Sequence, residues 1–149
     1  FDYRDELARF AARAGELGVA EHVRRLGTVT PAELERLYRA GDLFAFPSEK
    51  EGFGLAALEA LAAGLPVVAS DLAVFRTFLA DGASALLCPV GDGQALGDAL
   101  ARLARDGALR ERLRAGGRAV VAAHGWDEAA AAHEQVYRRF LAERTPEAA

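Results

Sequence analysis

Short apolar segments alternate with segments of helical periodicity along this chain, and this alternation constrains the fold more than any other feature. The segments that we interpret as strands span residues 42–46, 66–70 and 85–88. The helical segments between and after them span residues 54–63, about 72–80, 92–105, 108–122 and 127–142. Strands that lack apolar–polar alternation and are separated by helices are typical of a parallel sheet covered on both faces. The pattern therefore predicts half of a doubly wound α/β fold.

The first forty residues suggest three further elements. Residues 2–17 carry apolar positions at helical spacing, and the run 22–26 ends at a glycine as an edge strand would. Thr30, Pro31 and Glu33 supply an N-cap, a first-turn proline and a first-turn acid. We therefore expect a helix, a short strand and a second helix in this region.

Composition and charge exclude several classes of function. The net charge of −4 disfavours general binding to nucleic acid, because phosphate recognition needs a basic surface. No uncharged apolar run approaches the ~20 residues of a membrane-spanning helix. Cys88 is the one cysteine, which excludes an internal disulfide and a cysteine-based metal cluster and fits a reducing compartment. We expect a cytoplasmic domain with no nucleic-acid partner and no membrane span.

The chain contains no methionine and begins at Phe1. We therefore expect it to be part of a longer protein. Residues 1–143 are expected to form one partial domain, and residues 144–149 a frayed tail.

The loop after the strand at 42–46 carries the clearest sign of a ligand site. It runs from Pro47 to Leu55 and leads directly into a helix, and Gly52 and Gly54 allow its backbone to approach a ligand closely. The free N–H groups and positive dipole end of that helix form a ready site for an anion. In sheets of this kind, ligands bind outside the carboxyl ends of the strands.

Glu59 is the one charged residue in the helix that follows this loop. The other residues from 55 to 63 are Leu and Ala, and a helix that is apolar all round is expected to be buried. A buried carboxylate needs a hydrogen-bonding or charged partner. A polar ligand with hydroxyl groups and a distant arginine are both possible partners, and a tilt of the helix could instead leave Glu59 in contact with solvent.

A dinucleotide-binding site is one alternative. Gly52, Gly54 and Ala57 match the G-x-G-x-x-A fingerprint, and Asp71 follows the next strand as a ribose-binding acid would. However, five residues including a proline separate Phe46 from the first glycine, whereas the true fingerprint follows its strand almost at once. This interpretation also gives no role to Glu59.

Several segments together resemble a known family. They are Phe46-Pro47-Ser48, Glu51-Gly52-Phe53-Gly54-Leu55 with Glu59 eight positions after Glu51, and Ala63-Gly64-Leu65-Pro66-Val67-Val68-Ala69-Ser70-Asp71. This combination resembles the retaining GT-B glycosyltransferases of the mannosyl-, glucosyl- and sucrose-synthase-like group, and the resemblance covers nearly the whole chain. It implies a Rossmann-like parallel sheet with helices on both faces. The chain would be the C-terminal half of a GT-B enzyme, without the first strands of that half.

The resemblance also implies a site for a nucleotide-sugar donor. Glu51 would be the catalytic residue that contacts the hydroxyls of the donor sugar, and Glu59 would bind the ribose hydroxyls. The further donor-binding residues would be Ser48, Gly52, Phe53, Gly54 and Leu55, with Gly27 and Val29 near the base. Members of the family use no metal or other cofactor. Retention of configuration is described for them as front-face attack assisted by the leaving phosphate.

Two departures from the family pattern are visible. Thr77, beside Arg76, stands where the family commonly has a glutamate, and the basic residues that normally neutralise the donor diphosphate are not in this chain. The acceptor-binding N-terminal domain, the expected partner, is also not in it. We therefore expect the chain to be inactive by itself, and a non-catalytic binding or scaffold domain remains a second alternative.

Overall fold

The computed structural model describes residues 3–144, and the expected tail therefore lies outside the described residues except for Arg144. The chain divides into two compact units, one up to Leu34 and one from Glu35 onward. No helix within residues 3–144 combines the length and the apolar character needed to cross a membrane.

The first unit contains helix α1, Tyr3–Glu16, and a short 3-10 turn, Ala20–His22. The expected edge strand at 22–26 is wrong. These residues belong to no ladder of the described sheet, and Val23 and Leu26 are exposed. A strand needs a neighbour that satisfies its backbone N–H and C=O groups, and a short run that ends at a glycine does not by itself supply one.

Helix α2 spans Pro31–Ala40 and begins at the N-cap that the sequence predicts. The Glu33 carboxylate accepts hydrogen bonds from the Thr30 backbone N–H and hydroxyl, both at 2.8 Å, and the Glu33 N–H donates to Thr30 Oγ1 at 3.3 Å. This reciprocal arrangement is a capping box. The hydrogen bonds from Thr30 lower the pKa of Glu33.

The second unit contains a parallel sheet of three strands in the order β1–β2–β3. The strands are β1, Phe44–Phe46, β2, Val67–Ser70, and β3, Leu86–Cys88. The helices are α3, Leu55–Ala62, α4, Gly93–Arg105, α5, Gly107–Ala122, and α6, Trp126–Arg144. The expected α/β fold is therefore confirmed, and these strands and helices begin and end within about two residues of the predicted positions.

The core lies on both faces of β2. Successive side chains of a strand point to opposite faces. Val67 and Ala69 accordingly pack in a cluster that includes Leu61 of α3, whereas Val68 packs with Leu103 of α4 and Leu113 of α5. All four residues of β2 are buried, which explains why its sequence shows no apolar–polar alternation.

The segment 72–80 forms less helix than its spacing predicts. Its described helical structure is one 3-10 turn at Phe75–Thr77, and the Thr77 hydroxyl donates to the Val74 carbonyl oxygen. Such side-chain bonds to the local backbone favour turns over a continuous helix. The apolar spacing is still used, because Phe75, Phe78 and Leu79 are buried.

Candidate functional site

The loop between β1 and α3 begins at the carboxyl end of β1 and positions Ser48 and Glu51. The Ser48 hydroxyl lies 3.1 Å from Oε1 of Glu51 and 3.0 Å from the carbonyl oxygen of Lys50. Because a serine hydroxyl has one proton, these two acceptors share it. Glu51 is half-buried, and its carboxylate is thus oriented from within its own loop.

Gly54 shapes the junction between this loop and α3. It has a left-handed conformation with φ of 97°, and its carbonyl oxygen accepts the first helical hydrogen bonds from Ala57 and Leu58. No side chain caps this helix end. The remaining N–H groups of the first turn, together with the helix dipole, therefore suit a negatively charged group.

Phe53 fixes the glycine-containing loop to the core. Its ring stacks on Phe78 with centroids 5.5 Å apart, and Phe78 in turn makes a T-shaped contact with Phe75. Phe53 remains half-exposed and, with Leu55, lines an open groove of about 370 Å³ between α3 and the start of α6. The backbone from Gly52 to Leu55 is therefore held on a buried aromatic cluster.

Glu59 is exposed, so the expectation that α3 is buried all round is wrong. The buried side chains of α3 are Ala57, Ala60 and Leu61. Leu55, by contrast, is 64% exposed and lies one helical turn before Glu59. The helix packs on the sheet and α5 along one stripe, and its composition of Leu and Ala did not show which stripe that is.

Tyr38 is a site residue that the sequence analysis missed. Its hydroxyl donates to Oε2 of Glu59 at 3.1 Å and lies 3.4 Å from the carbonyl oxygen of Ala56. Burial and the hydrogen bond to Glu59 raise the pKa of Tyr38 to about 12. The signal that could have found it is a tyrosine on the apolar face of a helix, since a partly buried phenol usually has a hydrogen-bonding partner.

The acid that follows β2 has a charged partner. Arg76 donates to both carboxylate oxygens of Asp71, and this pairing lowers the pKa of Asp71. Bidentate pairs of this kind have a fixed geometry. Asp71, the ribose-binding acid of the dinucleotide interpretation, is therefore engaged by Arg76.

Cys88 lies at the carboxyl end of β3, beside a cavity of about 120 Å³ that Pro47, Glu49 and Asp92 also line. The thiol is buried, and this burial raises its pKa. Asp92 accepts a hydrogen bond from the N–H of Ala95 and thereby caps α4. Cys88 is thus a small, buried residue at the end of a strand.

Gly27 and Val29 belong to the first unit, in the loop before α2. Gly27 has a positive φ of 66°, and Val29 is half-buried. Their contact with a nucleotide base stays a prediction. In the part of the chain that the structure describes, no three His, Cys, Asp or Glu side chains are grouped so that they could hold a metal ion.

Comparisons with known proteins identify the family. The profile described as "Glycosyl transferases group 1" matches residues 3–120. A "Phosphatidyl-myo-inositol mannosyltransferase" of Mycobacterium leprae is 42% identical over 135 residues, which cover 90% of this chain and 36% of that protein. The chain thus spans about a third of the length of this relative.

Two solved structures are also similar. The C-terminal domain of a glycosyl transferase group 1 family protein (LpcC) from Francisella tularensis is 29% identical, with a TM-score of 0.70, over 83% of this chain and 63% of that one. Anabaena Alr3699/HepE in complex with UDP shares the fold at 22% identity, with a TM-score of 0.82, over 95% of this chain and 38% of that one. The chain belongs to the group 1 glycosyl transferases and has the fold of the C-terminal domain of their GT-B members.

Proposed function

We propose that this chain forms the donor-binding part of a retaining hexosyltransferase. The whole protein would transfer a sugar from a nucleotide-sugar donor to an acceptor in the cytoplasm, without a metal or other cofactor. The acceptor would be bound by an N-terminal domain of the same protein. Glu51 would contact the sugar, the start of α3 the diphosphate, and Glu59 the ribose.

The observation that carries this proposal is the arrangement of Glu51, the uncapped start of α3 and Glu59 along one continuous segment. Glu59 lies five residues after Gly54, which places it about 7–8 Å up the helix axis at ~1.5 Å per residue. This distance is suitable for the span between a phosphate and a ribose. The exposure of Glu59 and of Leu55, the first residue of α3, leaves both ends of this stretch accessible to a ligand. The Anabaena protein of similar fold was crystallised with UDP, which is consistent with such a ligand.

The reaction expected at this site replaces a glycosyl-phosphate bond by a glycosidic bond. The bond between the anomeric carbon and the diphosphate oxygen breaks, and the acceptor oxygen bonds to the same face of that carbon. The acceptor proton passes to the leaving diphosphate, which carries away the electron pair. The N–H groups at the start of α3 stabilise the charge that develops on the diphosphate, and Glu51 orients the sugar hydroxyls.

Calorimetric titration of the gene product that contains this chain tests the proposal. UDP, GDP, ADP and NAD are titrated into the wild type, Glu59→Ala and the control Glu134→Ala, which removes a carboxylate of α6. We expect one nucleoside diphosphate to bind, with a dissociation constant that rises about tenfold or more in Glu59→Ala only. Binding of NAD that is insensitive to Glu59 would contradict the proposal and favour the dinucleotide site.

One observation favours the second candidate, a non-catalytic binding or scaffold domain. Thr77 replaces a glutamate that is common in the family, and its hydroxyl is bonded to Val74 at 2.6 Å. This turn therefore has no glutamate carboxylate with which to contact the nucleotide-sugar donor. A gene product that binds a nucleoside diphosphate but neither transfers nor hydrolyses sugar from any nucleotide sugar would support the scaffold.

A further inference from the structure

The hydrogen bond between Tyr38 and Glu59 joins two helices that are distant in the sequence. Tyr38 lies near the end of α2, and Glu59 lies in the middle of α3. The phenol proton can go to Oε2 of Glu59 or to the carbonyl oxygen of Ala56. The carboxylate is both the nearer acceptor and the charged one, and charge-assisted hydrogen bonds are the stronger kind.

Tyr38 is the fixed partner in this pair. Its ring packs against the core cluster, with its centroid 5.6 Å from that of Phe44 in β1. Glu59 is exposed, and an exposed glutamate samples several rotamers, so that ordering it costs conformational entropy. The hydroxyl of Tyr38 therefore restricts a side chain that would otherwise be mobile. A phenol is protonated at neutral pH, and the pKa of Tyr38 is raised further, to about 12, so this hydroxyl is a donor at neutral pH.

The Tyr38 hydroxyl occupies only one of the hydrogen-bond acceptor positions of the Glu59 carboxylate. An ionised carboxylate has two oxygens and about four acceptor positions. A hydrogen bond to Oε2 thus leaves acceptor positions free for the two neighbouring hydroxyls of a ribose. The same hydrogen bond fixes the orientation of the carboxylate and therefore the direction of these free positions.

We propose that Tyr38 is a positioning residue for nucleotide recognition: its hydroxyl holds the Glu59 carboxylate in the orientation that accepts hydrogen bonds from ribose hydroxyls. This inference rests on the proposed function, in which Glu59 binds the ribose. Tyr38 itself does not contact the ligand. Its contribution is pre-organisation, because the ordering of Glu59 is completed before the nucleotide binds.

The test separates positioning from a general structural role by changing the ligand as well as the protein. The nucleoside diphosphate that binds most tightly among UDP, GDP and ADP is titrated beside its 2′-deoxy form into the gene product. The variants are Tyr38→Phe, Glu59→Gln and the double variant. Tyr137→Phe is the matched control, since it removes the hydroxyl of a tyrosine on α6. Urea denaturation of each variant checks its fold.

We expect the wild type to prefer the ribonucleotide. Tyr38→Phe should weaken binding of the ribonucleotide about threefold to tenfold and leave binding of the deoxynucleotide unchanged. Glu59→Gln should abolish the preference, and the double variant should bind as Glu59→Gln does, because Tyr38 acts through Glu59. Tyr137→Phe should bind both ligands as the wild type does.

The two hypotheses fail in different ways. An equal loss for both ligands in Tyr38→Phe, or no loss for either, would overturn the positioning role while the effect of Glu59→Gln still supports the proposed function. A ribose preference that survives in Glu59→Gln would overturn the role of Glu59 and the inference with it. A wild type that binds no nucleoside diphosphate would likewise overturn both the role of Glu59 and the inference about Tyr38.

Discussion

Gly54 lies directly against the ring of Phe75, so that a Cβ atom at position 54 would be 2.3 Å from Cε1 of Phe75. Phe75 is fully buried and contacts Phe46 and Phe78, and its ring therefore has no free space to move into. The left-handed backbone at Gly54 is a second constraint, because a side chain is strained at such a φ. The glycine that opens the proposed anion site is thus required by packing as well as by conformation.

We predict that Gly54→Ala lowers the free energy of unfolding by about 2–4 kcal/mol, because backbone strain and overpacking add. Urea denaturation measures the change. Gly52→Ala is the matched control in the same loop, since a Cβ at 52 meets no atom within 4 Å and φ is not in the left-handed region. Equal stability of the two variants would contradict this account of Gly54.

For two further glycines, we predict that substitution by alanine changes the stability in opposite directions. Gly116 of α5 packs against the loop before β3, where a Cβ would lie 2.1 Å from the carbonyl oxygen of Ala83. Gly97 of α4 meets nothing within 4 Å. Gly97→Ala should therefore stabilise the protein by about 0.5–1 kcal/mol through helix propensity alone. Gly116→Ala should destabilise it by about 1–3 kcal/mol, because backbone atoms must shift. A shift of the urea midpoint in the same direction for both would be the contrary result.

The raised pKa of Tyr38 predicts a dependence of stability on alkaline pH. A group whose pKa is higher in the folded state stabilises the protein below its unfolded pKa, and this contribution is lost as the pH rises through the folded value. For Tyr38 the window runs from about pH 10 to about pH 12. Tyr38→Phe should have a smaller loss of stability in that window than the wild type, whereas Tyr137→Phe should lose stability as the wild type does.

Ultraviolet titration of the tyrosines provides an independent check. The sequence contains three tyrosines, and one of them should ionise late in the wild type. This late step should be absent from Tyr38→Phe and present in Tyr137→Phe. A late step that persists in Tyr38→Phe would assign the raised pKa to another tyrosine.

Local signals account for the parts of the fold that the sequence predicted. The N-cap at Thr30 and the proline after β1 each mark a boundary of an element through near neighbours in the sequence. The lack of apolar–polar alternation in β2 indicates a strand that is buried on both faces. The same local signals do not show which elements pair. The run 22–26 ends at a glycine as an edge strand would but lacks a partner in the described sheet.

The position of the candidate site in the sequence could be predicted, whereas the exposure and the hydrogen-bond partner of Glu59 could not. The loop with Glu51 and Gly54 could be located because glycine spacing and a helix start are local. The exposure of Glu59 depends on which stripe of α3 faces the sheet, and its bond to Tyr38 joins residues 21 positions apart. Both are products of tertiary packing, which a helix of Leu and Ala leaves unspecified.

The proposed role of Glu51 leads to a test with a neighbouring control. Glu51→Gln should lower kcat/KM for sugar transfer by the whole gene product about 10- to 100-fold, because an ionised acceptor for the donor-sugar hydroxyls is replaced by an amide. Glu49→Gln removes an exposed carboxylate two residues away and should change kcat/KM less than twofold. The urea midpoint of Glu51→Gln should stay near that of the wild type, since its hydrogen bond from Ser48 can also go to an amide oxygen. Equal effects of the two substitutions on transfer would show that Glu51 acts only through the net charge of the loop.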